Sequence, residues 1–220
     1  MTASTTLVTG FEPFAGLDRN PSAEVAWRLE RRTIGGSPVV SRLLPVSLAG
    51  YREALAAALD ETRPGLVIAL GLAQGEASIR IERLGINLAD FDIADNDGMV
   101  AAGRPLEEGG PRARFSTFPA AAIEIAVLAA GIPAHCSTTA GAYLCNACLY
   151  SLLGMSEYAQ PGFACGFIHL PYLPEQVAGL MTTDRRTRRD LASMSLDTMV
   201  RAVEVAIETS LHPPDVDATI

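Results

Sequence analysis

The sequence contains no lysine: all 17 of its basic residues are arginine, set against 25 acidic ones, for a formal net charge of −8. A nucleic-acid surface needs clustered positive charge to neutralise phosphates, and this balance does not supply it. The one dense basic run, Arg185, Arg186, Arg188 and Arg189, reads as the solvated start of a helix rather than a phosphate site. No apolar run approaches the length of a membrane span. Met1–Thr6 lacks the charged-then-apolar order of a signal peptide. A cytoplasmic chain with neither nucleic-acid nor membrane partners is expected. Cysteines are few, Cys136, Cys145, Cys148 and Cys165, and in a reducing compartment they do not suggest a disulfide scaffold.

What is present is a globular composition. Hydrophobic residues make up 49% and charged residues 19%, too apolar for a disordered chain. A length of 220 residues suits one sizeable core, so a single domain over residues 1–220 is expected.

Short apolar runs ended by glycine, Thr6–Gly10 and Leu66–Gly71, read as buried strands. Val39–Val46, Ala134–Ser137 and Phe163–Leu170 read the same way. Helical patterns fall between them: Ser22 to about Arg32, with Asn20 or Ser22 as cap, then Leu48–Thr62, Ala120–Ala130, Leu144–Met155 and a long terminal helix over Arg188–Leu211. The alternation predicts an α/β fold around a largely parallel sheet. Ser78–Ile86 alternates apolar and polar residues and predicts a half-exposed strand. Residues 90–111, rich in Asp, Gly and Pro, predict a turn-filled excursion with room for a hairpin.

Ligands of open α/β sheets bind at the carboxyl ends of the strands, which directs attention to the residues there. Cys145 follows a small-residue loop, Thr138–Ala142, at a predicted helix start. Unpaired N–H groups and the positive end of the helix dipole favour a thiolate there and can hold a developing oxyanion. Taken alone, a buried apolar cysteine is the commoner fate. His169 ends an apolar strand and is one of only three histidines; it suits proton transfer near neutral pH or a structural strand-end hydrogen bond equally well. Glu82 could orient that imidazole, or simply pair with Arg80 or Arg83 on an exposed strand. Cys145 and Cys148 form a C-x-x-C, but a thioredoxin-like position and the further ligands of a zinc site are both missing.

Three segments resemble the signatures of pyroglutamyl peptidase I, the pyrrolidone-carboxylate peptidase family. They are Thr9-Gly10-Phe11-Glu12-Pro13-Phe14 with Asn20-Pro21-Ser22; Gly71-Leu72-Ala73 leading to Glu82–Asp90; and Ser137–Asn146 followed by Gly166–Tyr172. The resemblance covers most of residues 5–176. It implies a three-layer α/β/α sandwich around a mainly parallel twisted sheet, no cofactor or metal, and a homotetramer. It also implies a triad of Cys145, His169 and Glu82, with Phe11 and Phe14 forming the substrate pocket together with Asn20 and Leu72. The substrates implied are small peptides with an N-terminal pyroglutamyl residue. That residue is a neutral lactam, which an aromatic slot with a few polar backbone groups suits. Before the resemblance is weighed, Phe11 and Phe14 serve equally well as loop anchors.

The chain departs from the family pattern at three places. Gln74-Gly75-Glu76 stands where many members have Gly-Gly-Arg, Leu72 where many have a polar residue, and Asp92 where several have Arg. Two rivals follow: a thiol hydrolase for a different small acyl amide, and an inactive oligomeric binding homologue. The apolar composition, Tyr172 and Pro174 near the site, and the terminal helix also suggest surface that neighbouring copies would cover.

Overall fold

The first strand, β1 (Thr6–Phe11), is buried along its whole length. After it come helix α1 (Pro21–Leu29), strands β2 (Thr33–Ile34) and β3 (Ser37–Leu44), helix α2 (Tyr51–Thr62) and strand β4 (Leu66–Leu72). Strands β5 (Ile79–Glu82), β6 (Leu84–Ile86) and β7 (Ala113–Phe115) precede helix α3 (Ala120–Ala129) and strand β8 (Ala134–Ser137). Then follow helix α4 (Leu144–Tyr158), strand β9 (Ala164–Leu170), and helices α5 (Pro174–Thr183) and α6 (Leu196–Leu211). This computed structural model describes residues 4–183 and 190–214.

Seven strands form one sheet in the order β2-β3-β1-β4-β9-β5-β8, and β6 and β7 form a separate ribbon. Strands β3, β1, β4 and β9 are parallel. Beyond β9 the direction reverses: β5 is antiparallel to β9, and β8 runs parallel to β5. Alternate side chains leave a strand on opposite faces. Val8, Ile68, Leu70, Ile81 and Ile168 pack against α1, α3 and α6, whereas Leu7, Val67, Ala69 and Phe167 pack against α2 and α4. The result is a three-layer α/β/α sandwich around a mainly parallel sheet, as expected. Each fully buried Leu, Ile or Phe in these layers contributes roughly 1.5–3 kcal/mol of transfer free energy.

Local chemistry places the helix ends. The Asn20 side chain accepts from the Ser22 amide at 3.1 Å, and Pro21 occupies the first turn of α1, where its missing N–H costs nothing. Ser195 caps α6 by accepting from Thr198 N–H. That cap makes α6 shorter than the pattern over Arg188–Leu211 suggests; Arg185, Arg186, Arg188 and Arg189 lie outside the described residues. Helix α5 was not anticipated from the sequence; Pro174 opens it, where its missing N–H costs nothing.

Two expectations need correction. Ser78–Ile86 is not one half-exposed strand. It divides at Arg83 into β5 and β6, and β5 is an interior strand between β9 and β8. Its polar residues alternate with apolar ones because one face meets the core and the other the functional site. Tyr172 offers no surface to a neighbouring copy either: it is buried and packs in a small cluster with Leu72 and Val177.

Candidate active site

Strands β4 and β9 place Gly71 opposite His169. On the other side of β9, the antiparallel register sets Arg80 opposite His169 and Glu82 opposite Phe167. Residues directly opposite each other, and residues two apart, share a face. Arg80, Glu82 and His169 therefore all point toward the α4 layer. His169 Nδ1 lies 2.7 Å from Glu82 Oε1. A carboxylate can only accept, so Nδ1 donates the proton, and Nε2 remains for the Cys145 sulfur, which lies close enough to act on the ring's charge. Glu82 is fully buried.

The way Cys145 reaches this point differs from expectation. Strand β8 runs against β9, and its end, Ser137, pairs with Glu82. The segment from Thr138 to Tyr143 must double back past β5 before α4 begins. Tyr143 is the N-cap of α4 and its side chain makes no capping hydrogen bond. The Ala147 amide bonds the Tyr143 carbonyl at 3.0 Å. The amides of Leu144, Cys145 and Asn146 precede that bond, so they are the orphan donors of the first turn. An oxyanion formed beside the thiol would meet these N–H groups at the positive end of the helix.

Burial disfavours the His169 imidazolium, but the Cys145 sulfur and the Glu82 carboxylate outweigh it and push the group up to about 9. The remaining cysteines are poor nucleophiles. Burial raises the Cys136 and Cys165 thiols to about 11 each, and Cys148, fully buried, is raised further still. All four cysteines are free. Among the described residues no group of three or more His, Cys, Asp or Glu side chains is arranged to hold a metal ion.

A small cavity of about 20 Å³ opens beside the sulfur, lined by Phe11, Phe14, Asn20, Leu72, Tyr143 and Cys145 among others. All four residues expected to bind substrate thus meet the nucleophile candidate in one place. Phe14 stacks on Tyr143 at 6.1 Å, and Tyr143 meets Phe91 edge-on at 4.6 Å. Asn20 lines the cavity with committed polar atoms: Oδ1 accepts from Ser22, and Nδ2 donates to the Glu12 carbonyl at 3.0 Å. Its place there is one of shape.

Sequence reasoning missed two residues. Tyr143 is the N-cap of α4 and forms one wall of the cavity. Asn146 is wholly buried; its Oδ1 accepts from Ile86 N–H at 2.8 Å, and its Nδ2 donates to the Ile86 and Leu88 carbonyls at 2.9 Å. This amide clamps the start of α4 to β6. The signal was available, since asparagine is unfavourable inside an apolar helix unless its amide has work.

A family model described as pyroglutamyl peptidase matches residues 4–212. The chain belongs to the pyroglutamyl peptidase family. It is 45% identical to a pyrrolidone-carboxylate peptidase of Gloeobacter violaceus over 92% of this chain and 94% of that one. A pyrrolidone-carboxylate peptidase of Thermococcus onnurineus is 42% identical, with 93% and 98% of the two chains covered. Among solved structures, the pyroglutamyl peptidase I of Bacillus amyloliquefaciens superposes with a TM-score of 0.88 at 34% identity, covering 94% of this chain and 97% of that one. A mutant pyrrolidone carboxyl peptidase from Pyrococcus furiosus gives 0.89 at 39% identity, with 94% and 98% covered. Within this pyroglutamyl peptidase scaffold the three departures fall in different settings. Leu72 is buried against Tyr172 and Val177 at the cavity wall, Glu76 pairs with Arg80 at 2.9 Å, and Asp92 is exposed.

Proposed function

We propose that the chain is a cysteine peptidase that removes an N-terminal pyroglutamyl residue from small peptides. The observation that carries the reading is one imidazole bonded to Glu82 and facing the Cys145 sulfur, beside an aromatic-lined cavity. His169 takes the thiol proton, and the sulfur attacks the pyroglutamyl carbonyl carbon. The resulting oxyanion is held by the first-turn amides of α4. His169 returns the proton to the amine nitrogen as the C–N bond breaks, leaving a thioester on Cys145. Water, deprotonated by His169, then hydrolyses the thioester and releases pyroglutamate. Glu82 keeps Nδ1 protonated and stabilises the imidazolium. Phe11, Phe14 and Tyr143 would bury the ring methylenes of the lactam, with Asn20 and Leu72 shaping the cavity. No cofactor is needed for these steps.

A fluorogenic pyroglutamyl amide tests the reading directly. Fast turnover supports it. Turnover of other small acyl amides alone would mark a retargeted thiol hydrolase, and none at all a binding homologue. We take residues 1–220 as one peptidase domain, cytoplasmic and assembled as a homotetramer. Exposed Trp27, Phe115, Ile125 and Tyr158 are apolar surface of the kind that neighbouring copies cover. A clean monomer by light scattering at micromolar concentration would remove the assembly. Among the described residues, no helix is long and apolar enough to cross a membrane.

A further inference from the structure

Arg80 entered the sequence reading only as a surface partner for Glu82. In the structure it stands inside the site. It faces His169 across the β5–β9 ladder, and its side chain is only 18% exposed. Nη2 lies 3.1 Å from Glu82 Oε1, the oxygen that also bonds His169. The same nitrogen donates to the Thr139 carbonyl at 2.6 Å and to Ser137 Oγ at 3.2 Å. Nη1 donates to Glu76 at 2.9 Å. One guanidinium thus joins the β4–β5 connection, strand β5 and the segment that leads from β8 to Cys145. Glu82 has little else to orient it, because its buried Oε2 has no hydrogen-bond partner among the described residues.

The charges along this line alternate in sign: Glu76, Arg80, Glu82, then the imidazolium of His169. The titratable and charged groups facing it are Cys145 from α4, Arg80 and Glu82 from β5, Glu76 from the preceding connection, and His135 from β8, which pairs with Arg80 across the β5–β8 ladder.

We propose that Arg80 is a positioning residue for the Cys145, His169 and Glu82 set: it fixes the Glu82 carboxylate against His169 and ties the Thr139 segment, on the path to Cys145, to strand β5. The inference rests on the thiol-peptidase reading above. It also gives Glu76 a part: a basic residue there would repel Arg80, whereas glutamate anchors its outer nitrogen. A planar fork with several donors is needed to reach these partners together, which arginine supplies and lysine cannot.

The test uses the full chain as wild type, Arg80→Met and Arg80→Lys. Readouts are kcat and KM on a fluorogenic pyroglutamyl amide, and the His169 ring titration followed by NMR, which needs no turnover. Wild-type turnover judges the peptidase reading; the variants judge Arg80, and the ring titration does so even where no turnover exists. Arg80→Met should lower kcat by about tenfold or more with KM little changed. It should also move the His169 titration to higher pH, because a neighbouring positive charge is lost. Arg80→Lys should restore the titration and recover only part of kcat. A kcat within about twofold of wild type and an unmoved titration in Arg80→Met overturn the proposal, whatever happens to the melt. If Arg80→Met does not fold, Arg80→Lys decides: wild-type kcat overturns the proposal, and a reduced kcat at a wild-type melting temperature supports it.

Discussion

Gly71 leaves room for Cys145: a methyl group placed on Gly71 would lie 2.8 Å from the Cys145 sulfur and 2.7 Å from the Phe167 ring. Strand β4 is buried on both faces at this point, so backbone shift offers no easy relief. Gly71→Ala should displace the sulfur from His169 and cut kcat/KM by about 10²-fold, the usual cost of a misplacement near 1 Å. Kinetics beside a thermal melt check it. A rate within a few-fold of wild type would mean that the sulfur position is not critical.

The C-x-x-C pair should divide sharply. Cys145→Ser should lose nearly all activity, and iodoacetamide should inactivate the wild type with labelling at Cys145 alone. Cys148→Ser should keep most of its rate, since that thiol is fully buried and its proton is held tightly. Equal losses from the two substitutions would point instead to a dithiol acting as a unit.

Glu82→Gln preserves volume but removes the charge beside Nδ1. Activity should drop by about 10²–10⁴-fold, as for other triad acids. Glu82 is one of the groups that raise His169 toward 9, so the alkaline limb of the residual kcat/KM should move to lower pH. A loss under about fivefold, roughly 1 kcal/mol of transition-state stabilisation, with an unmoved limb would leave Cys145 and His169 to act as a dyad.

Stability should respond to the same imidazole. His169 titrates near 9 in the folded chain against about 6.5 when unfolded. The folded state binds this proton more tightly, so the associated stability is complete below about pH 6.5 and is lost as pH rises through 9. Urea unfolding between those limits should show a decline in the wild type that is weaker in His169→Gln. Parallel pH profiles for the two would mean that the ion pair contributes no net stability.

Much of the fold was legible because its signals are local. Glycine-ended apolar runs marked β1 and β4, and Asn20 with Pro21 marked the start of α1. Cys145 and His169 could be singled out as candidates because each sits near the end of an element, where chemistry concentrates, and the structure brings the two together. Strand direction was not legible: the residues of β8 look alike whichever way the strand runs, and only long-range pairing fixes it. The same ambiguity hid Arg80. An Ile-Arg-Ile-Glu alternation signals one wet face, and nothing local says that the polar face is turned inward on His169 and Cys145. Tyr143 and Asn146 were likewise defined by partners distant in sequence, Phe14 and Phe91 for one and the Ile86 backbone for the other.

The reversed β5–β9 pairing has a bearing on when hydrolytic power first exists. The imidazole arrives on the last strand to be synthesised, and the acid waits on a strand made much earlier. Sliding β5 by one residue along β9 would turn Arg80 and Glu82 to the opposite face and bring Ile81 beneath the thiol. A chain in which this register is unformed or slipped cannot assemble the proposed thiol centre. On that reading the proposed activity depends on a register set between strands distant in sequence.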